Sequence, residues 1–329
     1  VCWPRSPDRK KRMIEKIISA VASGKRFLIT SHVRLDGDAL GSELALYGLL
    51  RNMGKEAVVC NQDATPAHYR FLPGADQIVH ELIRPGTYYD VGFVLDCSEL
   101  ERVGNLEADV AAVPTLINID HHVSNGGFCA LRLLDPKASS TGELIYRLMR
   151  EMRAPMTKDI CTNLYAAILT DTGGFRYSST RPETLRTAGD LVEGGADPQW
   201  ISEHIYESDP PAKLQLLVRV LETLEMDPVL GVASMTVTEE HLRQTGATME
   251  HTDGFIDIPR TVQGINIAML YTQTGEGQFK LSLRSKGRIN VEKIARRFGG
   301  GGHINAAACR IEGDLAAIKS RVLEAIREA

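Results

Sequence analysis

Residues 31–42 read SHVRLDGDALGS, follow a short apolar run and lead into a helical pattern that we predict over 39–53. His32, Asp36 and Asp38 are therefore expected where a strand ends and a helix begins. The glycine between the two carboxylates would let the backbone turn sharply. The stretch predicts that one imidazole and two carboxylates converge on one point.

These side chains have two interpretations, a metal site or an ordinary turn. One imidazole and several carboxylates without a thiolate suit Mn²⁺, Mg²⁺, Fe²⁺ or Co²⁺ better than a structural zinc ion. The order Asp-Gly-Asp before a helix also describes a turn followed by an N-cap residue. Taken alone, the stretch leaves both interpretations open.

Length and composition are those of an ordinary globular protein with room for two domains. The chain has 329 residues, of which 43% are hydrophobic and 24% charged, and a net charge of −4. This charge argues against a basic protein that coats nucleic acid, although it allows a local basic patch. Six scattered cysteines without a C-x-x-C pair indicate a reducing compartment. No apolar run approaches the ~20 residues of a membrane span and no signal-peptide core is visible, so we expect a soluble cytoplasmic protein.

The first half of the chain alternates strand-length apolar segments with helical patterns, after a helical lead-in over 12–22. This alternation predicts an α/β domain with a mainly parallel sheet flanked by helices. The predicted strands are 27–30, 57–60, 77–79, 91–95 and 115–119, and the predicted helices are 39–53, 142–152, 158–169 and 182–193.

Acidic and histidine side chains follow these strands at the points where the strands end. Asp96 follows one of them, and Asp120, His121 and His122 follow the next one. Asp171 stands at the end of an apolar helical stretch. In open α/β sheets ligands gather beyond the carboxyl ends of the strands. We therefore expect these side chains to meet in one crevice.

The second half of the chain predicts a smaller α/β domain. A Pro-Pro pair at 210–211 marks a boundary, so we predict a first domain over 1–207, a linker helix over 208–226 and a second domain over 227–329. The predicted helices are 199–206, 212–226, 239–246, 291–297 and 315–326, and the predicted strands are 229–237, 265–271, 278–283 and 309–311.

With these residues in view, the sequence resembles the DHH/DHHA1 family of phosphoesterases over nearly its whole length. Two positions depart from the family pattern, since Leu35 stands where the family has Pro and Ala308 where it has Gly. The two-domain length looks most like the branch of bifunctional oligoribonucleases and 3′-phosphoadenosine 5′-phosphate (pAp) phosphatases. The resemblance rests on five ordered motifs: His32-x3-Asp36-Gly37-Asp38-x2-Gly41-Ser42, Leu95-Asp96, Asp120-His121-His122, Thr170-Asp171-Thr172-Gly173, and Gly300-Gly301-Gly302-His303 followed by Ala306-Ala307.

The resemblance implies two divalent metal ions, with Mn²⁺ preferred. Two cations roughly 3.5 to 4 Å apart need a shared carboxylate, and a hydroxide bridging them would attack phosphorus. One ion would be held by His32, Asp36 and Asp96, and the other by Asp38, Asp96, His121 and Asp171.

His122 is more useful away from the metals. We expect it to contact the scissile phosphate and to protonate or stabilise the leaving oxygen, with Asp120 orienting a histidine. The predicted catalytic residues are therefore Asp96, Asp120 and His122.

Substrate recognition is expected in the second domain. The glycine run at 299–302 offers unobstructed backbone N–H groups just before a helix-like stretch over 305–308, an arrangement suited to an anion. Arg284, at the end of a strand, offers its guanidinium fork to a terminal phosphate. The resemblance likewise implies recognition by Arg284 and His303, so the predicted substrate-binding residues are Arg284, Gly300, Gly301, Gly302 and His303.

Three functions follow from these patterns. The first is hydrolysis of short single-stranded RNA or DNA to mononucleotides and of pAp to AMP, in a cleft between the two domains that opens and closes about 208–226. The second is a cyclic or linear dinucleotide phosphodiesterase, and the third is a non-catalytic nucleotide-binding protein. We expect no membrane partner, and a homodimer is compatible with the sequence.

Overall fold

The chain folds as two compact units, of which the first ends at Ser208 and the second begins at Asp209. The structure is a computed structural model that describes residues 7–328, with side chains for 11–302 and 304–328. Within these residues, no helix has both the length and the apolar character that crossing a bilayer requires.

The first unit is a parallel sheet flanked by helices, as predicted. Its five strands lie in the order β2-β1-β3-β4-β5, and every neighbouring pair is parallel. The strands are β1 (Arg26–Thr30), β2 (Glu56–Val59), β3 (Val91–Leu95), β4 (Thr115–Asp120) and β5 (Leu131–Leu134). The helices are α1 (Pro7–Ser23), α2 (Gly37–Asn52), α3 (Glu107–Ala111), α4 (Thr141–Glu151), α5 (Lys158–Asp171), α6 (Pro182–Glu193) and α7 (Pro198–Tyr206).

Both faces of this sheet are buried, because its strands alternate between two cores. Phe27 and Ile29 of β1 join the larger core with residues of α2, α4 and α5. Leu28, between them, joins a smaller core on the opposite face with residues of α3. A parallel sheet covered on both faces leaves its strand ends as the natural place for polar function.

Close packing of α2 against α5 fixes the position of the helix that follows the first motif. A Cβ atom on Gly41 would lie 2.4 Å from the carbonyl oxygen of Asn163, so only glycine permits this approach. The glycine of the Gly-Ser pair therefore has a packing role.

Two predictions in the first unit are wrong. Residues 77–79 form no strand, because a 3₁₀ helix runs from Ala75 to Gln77 and Val79 forms only an isolated bridge with Cys60. Conversely, the prediction lacks β5, because its four residues have no alternating polar pattern. This strand pairs with β4 at the edge of the sheet.

The second unit contains a mixed sheet of six strands in the order β10-β11-β9-β8-β7-β6. All its neighbouring pairs are antiparallel except β7 with β8. The strands are β6 (Glu225–Asp227), β7 (Val232–Val237), β8 (Ile267–Gly275), β9 (Gln278–Ser285), β10 (Gly301–His303) and β11 (Ala306–Glu312). The helices are α8 (Pro211–Leu221), α9 (Glu239–Thr245), α10 (Asp257–Arg260), α11 (Val291–Arg297) and α12 (Leu315–Arg327).

Two element predictions in the second unit are also wrong. The helix predicted over 212–226 ends at Leu221, and Glu225–Asp227 forms the edge strand β6 instead. The stretch 305–308 is not helix-like, because Ala306 to Ala308 pair with both β9 and β10. Pairing on two sides outweighs the helix propensity of three alanines.

Candidate metal centre

The carboxyl ends of β1, β3 and β4 bring the predicted ligands of the first unit together. Nitrogen and oxygen atoms within 4.8 Å of one another define three groups of side chains. These groups share members, and they include every residue predicted from the sequence to bind a metal. The groups are His32, Asp36 and Asp96; Asp38, His121 and Asp171; and Asp96, His121 and His122.

His32 follows β1, and its ring is held in one orientation. Nδ1 lies 2.9 Å from the carbonyl oxygen of Val33, so Nε2 is the ring atom that faces the carboxylates. Nε2 lies 3.4 Å from Oδ2 of Asp96 and 3.7 Å from Oδ2 of Asp36. A ring fixed through one nitrogen presents the other as a metal ligand.

Asp36 combines both interpretations of the first motif. Its Oδ1 accepts a hydrogen bond from the backbone N–H of Ala39 at 3.0 Å and caps α2, while its Oδ2 faces His32. Gly37, which follows, does not have a left-handed conformation. A Cβ atom there would lie 2.5 Å from Oγ1 of Thr170, so this glycine lets α2 approach the end of α5, where Asp171 lies.

Asp38 is buried and is held by the N-terminus of a helix distant in sequence. The backbone N–H groups of Thr141 and Gly142 donate to its Oδ2 and Oδ1 at 2.6 and 2.8 Å. The hydroxyl of Ser42 donates to Oδ1 at 3.2 Å. The N-terminus of α4 therefore stabilises this carboxylate with two backbone donors and the positive end of the helix dipole.

Asp96 lies at the centre of the cluster. It is 2% exposed and has a φ of 52°, a left-handed conformation that non-glycine residues seldom adopt outside functional sites. Oδ2 faces His32, while Oδ1 lies 3.6 Å from Nε2 of His121. The hydroxyl of Thr141 donates to Oδ1 at 2.9 Å. Two oxygens directed at two groups of ligands suit a bridging carboxylate.

His121 and Asp171 complete the second group. Nε2 of His121 lies 3.4 Å from Oδ2 of Asp171, which ends α5, and 3.7 Å from Oδ2 of Asp38. Three elements from separate parts of the chain, β4, α5 and α2, thus supply one ligand each.

His122 is attached to a buried carboxylate. Asp120 is fully buried, and its Oδ1 lies 2.7 Å from Nδ1 of His122 and accepts from the His122 backbone N–H at 3.1 Å. Its Oδ2 accepts from Nδ2 of Asn125 at 2.6 Å. Burial alone would lower the pKa of His122, but the hydrogen bond that its Nδ1 donates to Asp120 outweighs this effect and raises the pKa to about 9. Asp120 therefore orients His122.

Negative charge is crowded in this cluster. Burial, followed by the charge of Asp96, raises the pKa of Asp38 well above its usual range, and burial raises the pKa of Asp171 to about 6. Burial also opposes ionisation of Asp96, but the hydrogen bond with His32 and the charges of the neighbouring histidines outweigh it and keep that pKa low. Divalent cations relieve such repulsion, and the nitrogen and oxygen donors fit Mn²⁺ or a similar ion.

Two groups around the centre have no signal in the sequence that marks them as part of it. One is Thr141 with Gly142, whose donors hold the carboxylates of Asp38 and Asp96. The other is Glu43, which is fully buried and accepts a hydrogen bond from Nδ2 of Asn61 at 2.8 Å. Oδ1 of Asn61 in turn accepts from the backbone N–H of Ser31, next to His32, at 3.1 Å. The Ser140-x-x-Glu143 sequence indicates a helix start, but no local signal shows what that start contacts.

The predicted substrate-binding residues belong to the second unit. Arg284 lies on β9 opposite Ala306, is half-buried, and donates from Nη1 to the carbonyl oxygen of Leu283 at 3.2 Å. The side chain of His303 lies outside the described residues, and its backbone belongs to β10.

The glycine run leads into strands and not into a helix. The helix N-terminus expected there is therefore absent from the described residues 304–312, which end with β11. A Cβ atom on Gly300 would lie 2.2 Å from the carbonyl oxygen of Ala308. A Cβ atom on Gly302 would lie 2.5 Å from the carbonyl oxygen of Ala306. These two glycines permit the close β10–β11 pairing. For Gly301, none of the described residues lies within 4 Å of where a Cβ atom would stand.

Comparison with known proteins agrees with this geometry. The model of the DHH family N-terminal domain matches residues 26–168, and that of the DHHA1 domain matches residues 231–328. A relative from Thermus thermophilus, named bifunctional oligoribonuclease and PAP phosphatase NrnA, is 34% identical over 97% of this chain and 94% of its own length. The chain belongs to the DHH/DHHA1 family.

Two further proteins resemble this DHH/DHHA1 chain over nearly its whole length. A Bacillus subtilis protein with the same name, bifunctional oligoribonuclease and PAP phosphatase NrnA, is 25% identical over 91% of this chain and 93% of its own length. The crystal structure of an exopolyphosphatase-related protein from Bacteroides fragilis is 28% identical, with a TM-score of 0.91 over 97% of this chain and 96% of that one.

Proposed function

We propose that this chain is a metal-dependent phosphoesterase that hydrolyses short oligonucleotides to mononucleotides and pAp to AMP. The observation that carries the proposal is the pair of ligand groups that meet at Asp96 and His121. The names of the Thermus thermophilus and Bacillus subtilis relatives support the choice of substrates.

The ligands divide between two ions, for which Mn²⁺ is the preferred metal. When bound, the two ions would supply Lewis acidity and an activated water for in-line displacement at phosphorus. His32, Asp36 and Asp96 would hold one ion, and Asp38, Asp96, His121 and Asp171 the other.

His122 supplies the proton. Asp120 occupies Nδ1 of its ring at 2.7 Å, so Nε2 is the atom that can donate to the leaving oxygen. The buried carboxylate of Asp120, hydrogen-bonded to Nδ1, favours the protonated ring and leaves Nε2 free to donate. In this proposal His122 is the general acid and Asp120 its positioning residue.

The second unit carries the phosphate-binding residues of this proposal. Arg284 supplies a guanidinium group, and the open backbone at Gly301 supplies space for a phosphate, with Gly300 and Gly302 fixing the hairpin and His303 beside it. A site for a terminal phosphate favours short single strands and mononucleotide bisphosphates. Because such substrates are intracellular nucleotides, we propose the cytoplasm as the working compartment.

Hydrolysis of a substrate panel tests the proposal. We would measure release of mononucleotide from pApA and of AMP from pAp, each with Mn²⁺ and with Mg²⁺, beside cyclic di-AMP and pyrophosphate. Turnover of pApA and pAp is expected, and Asp96→Asn or His122→Ala should abolish it.

The outcomes of this panel separate the alternatives. Cleavage of cyclic di-AMP with pApA left intact would replace our assignment with that of a cyclic dinucleotide phosphodiesterase. Undiminished hydrolysis in both variants would show that this cluster is not the active site.

A further inference from the structure

The turn that follows Asp171 is held in an unusual conformation. Phe175 has a φ of 63°, in the left-handed region that bulky residues avoid. The carbonyl oxygen of Thr172 accepts from the backbone N–H groups of Arg176 and Tyr177, both at 3.0 Å, and its hydroxyl accepts from that of Phe175 at 3.0 Å. Such strain persists where the surrounding structure enforces it, often beside functional sites.

This turn holds the ring of Tyr177 against the backbone that follows α5. A Cβ atom on Gly173 would lie 2.4 Å from Cζ of Tyr177, so the ring packs directly against the glycine backbone. Gly173 is two residues from Asp171, the last residue of α5. The Tyr177 side chain is nevertheless 54% exposed. One part of the ring is thus supported by the backbone while the rest faces solvent.

A cation and a second aromatic side chain accompany Tyr177. Nε of Arg176 donates to the carbonyl oxygen of Gly173 at 2.6 Å, and this exposed guanidinium is thereby held in place. Tyr206, at the end of α7, is 49% exposed. Burial raises the pKa of Tyr206. The charge of Arg176 lowers this pKa and the Tyr177 hydroxyl raises it, since both groups lie close to the Tyr206 hydroxyl. We call Arg176, Tyr177 and Tyr206 the Tyr177 patch.

Another exposed aromatic side chain in the same unit, Trp200, differs from Tyr177 because its ring packs against other aromatic rings. Trp200, which is 39% exposed, meets Phe71 edge to face with ring centroids 5.1 Å apart and His204 at 4.4 Å. In the described part of the chain, the ring of Tyr177 has no such aromatic partner. Its exposed surface is therefore available to a planar ligand.

We propose that the Tyr177 patch is a nucleobase subsite, in which Tyr177 stacks on the base of the nucleotide whose phosphate reaches the metal centre. This inference rests on the proposed function, because it assigns a subsite for the same substrate. Arg176 contributes positive charge to the sugar-phosphate backbone next to that base. Stacking accepts every base, since each has a flat π surface, so the subsite selects for nucleotides without selecting a sequence.

Kinetics with matched substrates test this subsite. We would compare pApA with an analogue in which one base is replaced by hydrogen, in the wild type, Tyr177→Ala and Tyr177→Phe. Tyr177→Ala should raise KM for pApA roughly tenfold with little change in kcat, and should bring it close to KM for the base-free analogue. Tyr177→Phe retains the ring and should stay within about twofold of the wild type.

Tyr88 provides the matched control. It is a half-buried tyrosine of the same unit with a guanidinium group against its ring, since Cζ of Arg26 lies 4.6 Å from the ring centroid. It precedes β3, whereas Asp96 follows that strand, so it lies at the opposite edge of the sheet. Tyr88→Ala should leave both KM values unchanged.

A binding measurement separates failure of the subsite from failure of the proposed function. A dinucleotide with one 2-aminopurine and one abasic residue, mixed with protein in EDTA, should lose fluorescence with the wild type and Tyr177→Phe but not with Tyr177→Ala. Equal quenching by Tyr177→Ala, or an equal rise in KM for the base-free analogue, would overturn the subsite. If the wild type quenches the probe but hydrolyses no oligonucleotide, the subsite stands and the proposed function falls.

Discussion

Replacing Thr141 with valine isolates one hydrogen bond to the central carboxylate of the proposed metal centre. Oγ1 of Thr141 donates to Oδ1 of Asp96 at 2.9 Å, and its backbone N–H donates to Asp38 at 2.6 Å. Valine keeps the shape of the side chain and the backbone donor and removes only the hydroxyl. We therefore expect Thr141→Val to fold and to bind Mn²⁺ more weakly.

The magnitude follows from the burial of both partners. Thr141 is fully buried and Asp96 is 2% exposed, so water does not replace the lost donor. A hydrogen bond to a charged group contributes about 1.5–3 kcal/mol, which corresponds to roughly 10- to 150-fold in an equilibrium constant. Changing a side chain that holds a metal ligand costs about 10- to 100-fold in metal affinity in known proteins. We expect the dissociation constant for Mn²⁺ to rise by at least about tenfold.

Titration of free Mn²⁺ by electron paramagnetic resonance measures this change without reference to activity. Thr141→Ser restores the hydroxyl and should restore most of the affinity. Thr236→Val is the control, because Thr236 is 3% exposed and its Oγ1 has no hydrogen-bond partner among the residues that the structure describes. Wild-type Mn²⁺ affinity in Thr141→Val, or equal losses in the valine and serine variants, would refute the reasoning.

Three further predictions concern buried groups near the same site. Burial raises the pKa of Glu43 to about 8 from 4.5. The folded state therefore keeps a proton that the unfolded state releases, and stability falls by about 1.4 kcal/mol per pH unit across that window. Glu43→Gln should lessen the fall in stability between pH 5 and pH 8 by about 1.4 kcal/mol per pH unit in urea unfolding of EDTA-treated protein, and an unchanged fall would contradict the assignment. Asp120→Asn should lower kcat for pApA by about tenfold or more, with a smaller effect on KM, because the amide no longer fixes the protonated ring of His122. A change confined to KM would argue against this role of Asp120. Gly41→Ala should lower the free energy of unfolding by about 1–3 kcal/mol, because its Cβ atom would lie 2.4 Å from the Asn163 carbonyl oxygen, whereas Gly189→Ala, with nothing within 4 Å, should not.

The clustering of the candidate ligands could be predicted from the sequence because each of their positions depends on local signals. Asp96 directly follows an apolar run that forms β3 over its predicted residues, and His121 follows β4. Once the strands are parallel, their carboxyl ends share one edge of the sheet, so residues distant in sequence need no further information to meet. β4 extends one residue beyond its predicted end and includes Asp120, whose Oδ2 accepts from Nδ2 of Asn125.

Contacts between distant segments could not be predicted in the same way. The backbone of Thr141 holds Asp38 across 103 residues, and the helix start at Ser140 carries no mark of its partner. The helix-like prediction for the alanines after the glycine run was wrong for a related reason. Their local preference is helical, and only pairing with β9 and β10 makes Ala306 to Ala308 a strand.

Asp36 shows why the first motif supports a turn and a ligand at once. A carboxylate has two oxygens, and capping a helix requires only one of them. Oδ1 of Asp36 accepts from Ala39 and fixes the start of α2, which aims Oδ2 at His32 and the centre of the cluster. The N-cap hydrogen bond therefore orients the ligand, and the interpretation that competed with a metal site in the sequence is part of how the site is built.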